Sequence, residues 1–400
     1  MTQSSKLRTA YIVHAKRTAC GKANKGSFRF TYPDTLAAEV IKDLLKLTPE
    51  LEPAHIDDLI IGCAFPEASQ GLNIARQIGL LAGLPDSVPA VTVNRFCSSG
   101  LQTIALAAER IMVGAAEVII AGGVESMSMV PMGGLSFQPN AHLVDNRPEV
   151  YINMGLTAEN LAGKYEISRI EQDQFALRSH QNAIAAWREG KFNSQITPVQ
   201  LTEKKINTEG AIEELFSTCA QDEGPRADTS MDVLSGLRPV FKVRGSVTAG
   251  NSSQMNDAAS AVLVMSGEKV KELGLSPIAR YVGFDVAGVA PEYMGIGPVE
   301  AIPKLLKRTG MTLNNIEQIE LNEAFAAQTL AVIKELDLNP AIINVNGGAI
   351  AMGHPLGCTG AKLTTQLLHE MALRKQKYGM VTMCIGGGMG AAGIFENLVA

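Results

Sequence analysis

The chain has 400 residues, 46% hydrophobic and 19% charged, enough apolar material for more than one core, since single cores stop growing near ~250 to 300 residues. With 35 basic against 40 acidic side chains and a net charge of -5, no positive field invites nucleic acid or an anionic membrane surface. Six cysteines without a Cys-x-x-Cys pair speak against a disulfide scaffold, a zinc site or a redox dithiol. No apolar run nears the ~18 residues of a membrane span, and Tyr11-Ile-Val13 is too short for a signal segment, so a soluble cytoplasmic protein with reduced thiols is expected.

In chain order, the first elements are a helical run through Leu44-Leu-Lys46, an apolar segment Ile56 to Phe65, a strand ending Val93-Asn94, a small-residue turn and helix, and a strand Val118 to Gly123. The same order returns after an offset of 260 residues: Ile56 to Phe65 aligns without gaps on Ile316 to Phe325, Leu305 to Lys307 precedes it, and Val345-Asn346 and Met380 to Gly388 follow it. This is expected to be a duplication of βα units, hence an α/β fold with helices packed on sheets. The expected division is an N-terminal half over 1–126, completed by about 250–278, an insertion over 127–249, and a C-terminal half over 279–400. The insertion reads as mostly helical with long loops, the usual place for a substrate cover. Its Ser168-x-x-Glu171 capping box starts a helix through about Arg188, with Phe175, Ala176, Ile184 and Trp187 available for one face.

Four segments hold candidate chemistry. Cys97 ends a β-rich run and opens a helix with Leu101, Ile104, Ala105, Ala108 and Ile111 at helical spacing. Backbone N–H groups at a helix start stabilise a thiolate, although a free cysteine is also a common small core residue. Leu321-Asn322-Glu323-Ala324-Phe325 is a strand breaking into a polar pair that its repeat partner lacks; an asparagine there can also simply cap a turn. Gly353-His354-Pro-Leu-Gly-Cys358-Thr-Gly360 places a histidine in a flexible turn, as a base, an oxyanion donor or merely a turn residue. Cys384-Ile-Gly-Gly-Gly-Met-Gly390 is a cysteine at a strand end before a glycine-rich loop. Its Gly388-x-Gly390-x-x-Gly393 imitates a dinucleotide fingerprint, but only seven residues follow, too few for the helix and acidic residue that motif needs.

As a set and in this order, Val93-Asn-Arg-Phe-Cys97-Ser-Ser-Gly, Asn322-Glu-Ala-Phe, Gly353-His-Pro-Leu-Gly-Cys-Thr-Gly and Cys384-Ile-Gly-Gly-Gly-Met-Gly resemble the thiolase family, across essentially the whole chain. The resemblance implies an acetyl-CoA C-acyltransferase with a five-layered α/β/α/β/α arrangement of two related halves. It implies Cys97 as acyl-accepting nucleophile, His354 as its activator, Asn322 as holder of an oxyanion water, Cys384 as second acid/base, and the N–H groups of Cys97 and Gly386 as an oxyanion site. For coenzyme A, a substrate rather than a cofactor, it implies Ser253 with Ala249 and Gly250, Arg226 beside the adenine, and Met154, Met294, Ala324 and Phe325 around the pantetheine and acyl pocket. It further implies 3-ketoacyl-CoA thiolysis in fatty-acid β-oxidation, a homodimer or homotetramer, and a hydratase/dehydrogenase partner. Condensation of two acetyl-CoA is the alternative, and a ketosynthase acting on acyl carrier protein a remoter one, disfavoured because such enzymes use Cys-His-His.

Overall fold

Runs of β-branched and small apolar residues separated by amphipathic helices dominate both ends of the chain, and the computed structural model, which describes residues 7–206 and 210–399, shows how they pair. The first half consists of β1 (Ala10–Arg17), β2 (Gly21–Lys22), α1 (Pro33–Lys46), β3 (Asp58–Gly62), α2 (Ile74–Leu81), β4 (Ala90–Val93), α3 (Ser99–Met112) and β5 (Val118–Ser126). The segment between the halves holds α4 (Ala141–Asn146), α5 (Met154–Lys164), α6 (Arg169–Arg188), β6 (Val199–Ile206), β7 (Ile212–Cys219) and α7 (Met231–Ser235). Then come β8 (Asn256–Ser266), α8 (Gly267–Glu272), β9 (Ala279–Gly288), α9 (Gly297–Thr309), β10 (Gln318–Leu321), α10 (Ala326–Leu336), α11 (Ala349–Met352), α12 (Leu356–Arg374), β11 (Tyr378–Ile385) and β12 (Met389–Asn397).

The halves share one strand order. In the first it runs β4-β3-β5-β8-β1 and in the second β10-β11-β12-β9, and the edges β1 and β9 join through Tyr11 with Arg280 and Ile12 with Ala279. The second half lacks a counterpart of β4. The strand expected to end at Val345-Asn346 is one parallel bridge between Ile319 and Ile343. Its place is taken by the Asn344 side chain, whose Oδ1 accepts from the Leu321 N–H at 2.9 Å and whose Nδ2 donates to the Leu321 carbonyl at 2.8 Å. An amide side chain thus supplies one residue's worth of ladder, and the backbone turns away with a φ of 47° at Asn344.

Alternation along each strand sorts the core into layers. Leu59, Ile61, Val118, Ile120, Leu263 and Met265 face α1 and α2 on one outer side. Their neighbours Ile60, Ile119, Val262 and Val264 face inward, where they share a cluster with α3, α12 and the inward residues Val381, Met383 and Ile385 of β11. Met380, Ala392 and Ile394 face α9 on the other outer side. The sequence of layers is therefore α/β/α/β/α, with α3 and α12 buried between the two sheets. They cross so closely that a Cβ on Gly100 would stand 2.7 Å from the Ala361 nitrogen, and one on Gly360 would run into Leu101.

The intervening segment departs from expectation in two ways. Besides helices it contains the β6–β7 hairpin, paired from Val199 with Cys219 to Ile206 with Ile212. The capping box and extent of α6 are as the sequence predicts, yet its buried face is Gln172, Asp173, Phe175, Ala176, Ser179, His180, Ala183 and Ala186, while Ile184 and Trp187 are half-buried. Polar groups are buried there because they have partners: Asp173 accepts from Asn251, Ser179 donates to Glu323, and His180 accepts the Arg226 N–H. Hydrophobic periodicity cannot register a helix anchored by hydrogen bonds.

Candidate active site

Cys97 sits where β4 gives way to α3, in a single 3₁₀ turn over Phe96–Ser98. Phe96 has a φ of 42°, a left-handed conformation that a bulky residue adopts only under constraint. The constraint is visible: Asn94 Oδ1 accepts the Phe96 N–H at 2.8 Å, and Ser99 Oγ donates to the Phe96 carbonyl at 2.7 Å. Burial pushes the Cys97 thiol up to about 11; the N–H groups of Gly386 and of Cys97 itself pull the other way, and nearby Glu125 adds to the rise. Two backbone donors thus favour the thiolate, yet the sulfur remains a thiol at neutral pH.

Gly386 begins the three-residue turn between β11 and β12, where Gly387 and Gly388 take φ values of +82° and +87°. A side chain at Gly388 would also strike the Val289 carbonyl, so this hairpin has room only for glycine. Cys384, two residues earlier, is completely buried with Met294, Ala324, Phe325, Ala158, Ala162, Val247 and Ala327, and with Met154 and Phe241 at the edge. Burial raises its pKa far above the ordinary thiol value, and the Cys97 thiolate raises it further. The two cysteines therefore feel each other's charge and will not ionise together.

His354 precedes α12 and is 5% exposed. Thr359 Oγ1 donates to the Pro355 carbonyl at 3.0 Å and lies 2.6 Å from His354 Nδ1, so the hydroxyl oxygen accepts the Nδ1 proton. That leaves the lone pair on Nε2, facing Asn322 Nδ2 at 3.4 Å. Burial, helped by Lys362, lowers the imidazole to about 3, so it is a neutral base. Asn322 does not cap a helix: its Nδ2 faces the imidazole, and its buried Oδ1 has no protein partner.

Two carboxylates to which the motifs assigned no role hold these loops. Glu125, the one charged residue of the wholly buried β5, accepts the N–H groups of Ala64 at 2.8 Å, Phe65 at 3.3 Å and Gly357 at 2.8 Å, and the Gln70 amide at 2.9 Å. It caps the start of α12 from the opposite half of the molecule, since Pro355 offers no side-chain cap. Glu323 accepts from Ser179 at 2.6 Å, Asn344 at 2.9 Å and the Ile350 N–H at 3.2 Å. A lone acid inside an apolar strand was the available signal for Glu125.

Of the residues expected around coenzyme A, Met154, Met294, Ala324 and Phe325 gather about Cys384 as described. Ser253 joins them through its N–H, which donates to the Ala324 carbonyl at 2.9 Å. Ala249 is exposed, and Gly250 lies against Leu234 and Leu237. Arg226 stands outside this group, exposed and ion-paired with Asp228 at 3.0 Å. No group of side chains suited to a metal ion occurs among the described residues, and none of their helices is long and apolar enough to cross a membrane.

Comparison with known proteins agrees with the fold. The family model described as thiolase, N-terminal domain, matches residues 10–268, and that described as thiolase, C-terminal domain, matches residues 275–397. A 3-ketoacyl-CoA thiolase of Bacillus subtilis (strain 168) is 57% identical over 390 residues, covering 98% of this chain and 100% of the relative. The crystal structure of the Bacillus anthracis acetyl-CoA acetyltransferase superposes with a TM-score of 0.89 at 41% identity, covering 99% of this chain and 100% of the other. The dimeric peroxisomal thiolase of Saccharomyces cerevisiae superposes at 0.88 with 39% identity, covering 98% of this chain and 97% of that one.

Proposed function

The chain belongs to the thiolase family, and from that premise we propose that it cleaves 3-ketoacyl-CoA with coenzyme A to acetyl-CoA and a shortened acyl-CoA, in fatty-acid β-oxidation. The observation that carries this reading is that the Gly386 N–H favours the Cys97 thiolate while Cys97 and Cys384 are close enough to feel each other's charge. One group must bond to the acyl carbon while another moves a proton at the α-carbon.

In this reading Cys97 attacks the 3-keto carbon and its proton passes to the neutral His354. The bond between the α- and β-carbons breaks, its electron pair leaving as the acetyl-CoA enolate, which the Cys384 thiol protonates. The proton on His354 then restores Cys384, leaving the acyl group on Cys97 as a thioester. Coenzyme A gives its thiol proton to His354 and attacks the thioester, and that proton returns to the departing Cys97 sulfur. The N–H groups of Cys97 and Gly386 serve one oxyanion, and His354 with an Asn322-held water the other. Losing one such donor typically costs ~10²-fold or more in rate. Ser253, Ala249, Gly250, Met154, Met294, Ala324 and Phe325 line the pantetheine and acyl path, Arg226 lies by the adenine, and the segment 127–249 covers the substrate. The similarity to a dimeric relative supports a homodimer.

Thiolysis of 3-ketoacyl-CoAs of increasing length, run beside Cys97→Ala and Cys384→Ala, tests the scheme. Cys97→Ala should be inactive. Cys384→Ala should still accept an acyl group on Cys97 while carbon–carbon chemistry collapses; equal loss of both steps would refute the division of labour.

A further inference from the structure

Lys362 is a buried charge that the scheme above does not use. It lies in the second turn of α12 and is 1% exposed. Its ammonium donates to the Gly353 carbonyl at 3.2 Å, one peptide before His354. Gly353 has a φ of +98° and no room for a side chain, because a Cβ would collide with Asn256, so the turn carrying that carbonyl admits only glycine. Other ionisable groups face Lys362 from several elements: Glu320 on β10, Asp222 after β7, Cys20 after β1 and Cys358 on its own helix. Glu370 and Glu323 act on Glu320 in turn. Among the described residues, Oε2 of Glu320 is buried without a hydrogen-bond partner.

We propose that Lys362 is the positioning residue for the general base: it clamps the Gly353 carbonyl, one peptide before His354, and so aims the imidazole. The inference rests on the reading of His354 as the base for Cys97.

The test separates the clamp from mere filling of the buried site. Lys362→Gln keeps an amide donor for the Gly353 carbonyl; Lys362→Met fills similar space without a donor. The readout is the rate of acetyl transfer from acetyl-CoA to Cys97 at pH 7, followed by rapid quench and mass spectrometry, beside the urea midpoint of each variant. Lys362→Met should lose ~10-fold or more in transfer rate, and Lys362→Gln should recover most of that loss. A folded Lys362→Met with the native rate overturns the proposal, as does an equal loss in both variants, or failure of both to fold, which would make Lys362 a folding residue only. His354→Asn runs alongside: retained acetyl transfer there would sink the base assignment itself, whereas its loss beside a native rate in Lys362→Met sinks only the role of the lysine.

Discussion

At the scale of single residues, the site is built from groups held away from their ordinary ionisation. Cys97 and Cys384 are thiols and His354 is uncharged, so the candidate site carries no formed ion pair among these three groups. Charge appears only as the proton moves, when the N–H groups of Gly386 and Cys97 are already in place. Asn322→Asp tests this economy. A carboxylate at the Nε2 position would favour imidazolium, and acetyl transfer to Cys97 at pH 7 should fall by ~10²-fold or more, a loss of the size expected when general-base action is removed. Stopped-flow transfer rates near the native value would show that the imidazole does not sense this neighbour.

At the scale of elements, two helices bring the candidate residues together. α3 carries Cys97 at its start and α12 follows His354, and they cross at Gly100 and Gly360. Gly100→Ala forces its methyl against the Ala361 backbone, and overpacking of this kind costs about 1 to 3 kcal/mol. The helices must also separate, so kcat/KM should fall with the urea midpoint. Gly163→Ala is the contrasting case. It lies exposed in α5 with nothing within 4 Å of the added Cβ, and relieving a helical glycine should stabilise by about 0.5 to 1 kcal/mol without touching activity. An equal response from the two variants would show that the crossing is not tight.

At the scale of the whole molecule, the intervening segment is fastened to the first half by a buried ion pair. Arg17 on β1 is fully buried; its guanidinium donates to both Asp222 oxygens at 2.8 and 3.0 Å, to Gln195 at 2.7 Å and to the Thr18 carbonyl at 3.2 Å. Asp222→Asn leaves that cation uncompensated and should cost about 3 to 5 kcal/mol in chemical denaturation. Acid should also destabilise the fold. His180 is lowered to about 4 and His354 to about 3, both chiefly by burial, from a value of 6.5. Their folded values are depressed, so the unfolded chain binds more protons below about pH 6.5, and stability present above that pH is lost as pH falls toward 4, by roughly 1.4 kcal/mol per pH unit for each histidine. His180→Gln keeps an acceptor for the Arg226 N–H and should flatten part of that slope; an unchanged slope would show that His180 is not among the groups titrating. Much of this molecule was legible beforehand: the duplication, the α/β class and the capping box of α6 follow from local spacing, and glycines that only certain turns need mark the loops that carry His354 and Cys384. The missing counterpart of β4 was not, because an asparagine side chain replaced a strand and leaves no periodic trace. Nor were Glu125 capping α12 from the other half, Glu323 binding α6 to the loop before His354, or Lys362 bonded to the Gly353 carbonyl. A buried charge is admissible only where distant backbone and side-chain partners converge on it, and that convergence exists only after the chain has folded.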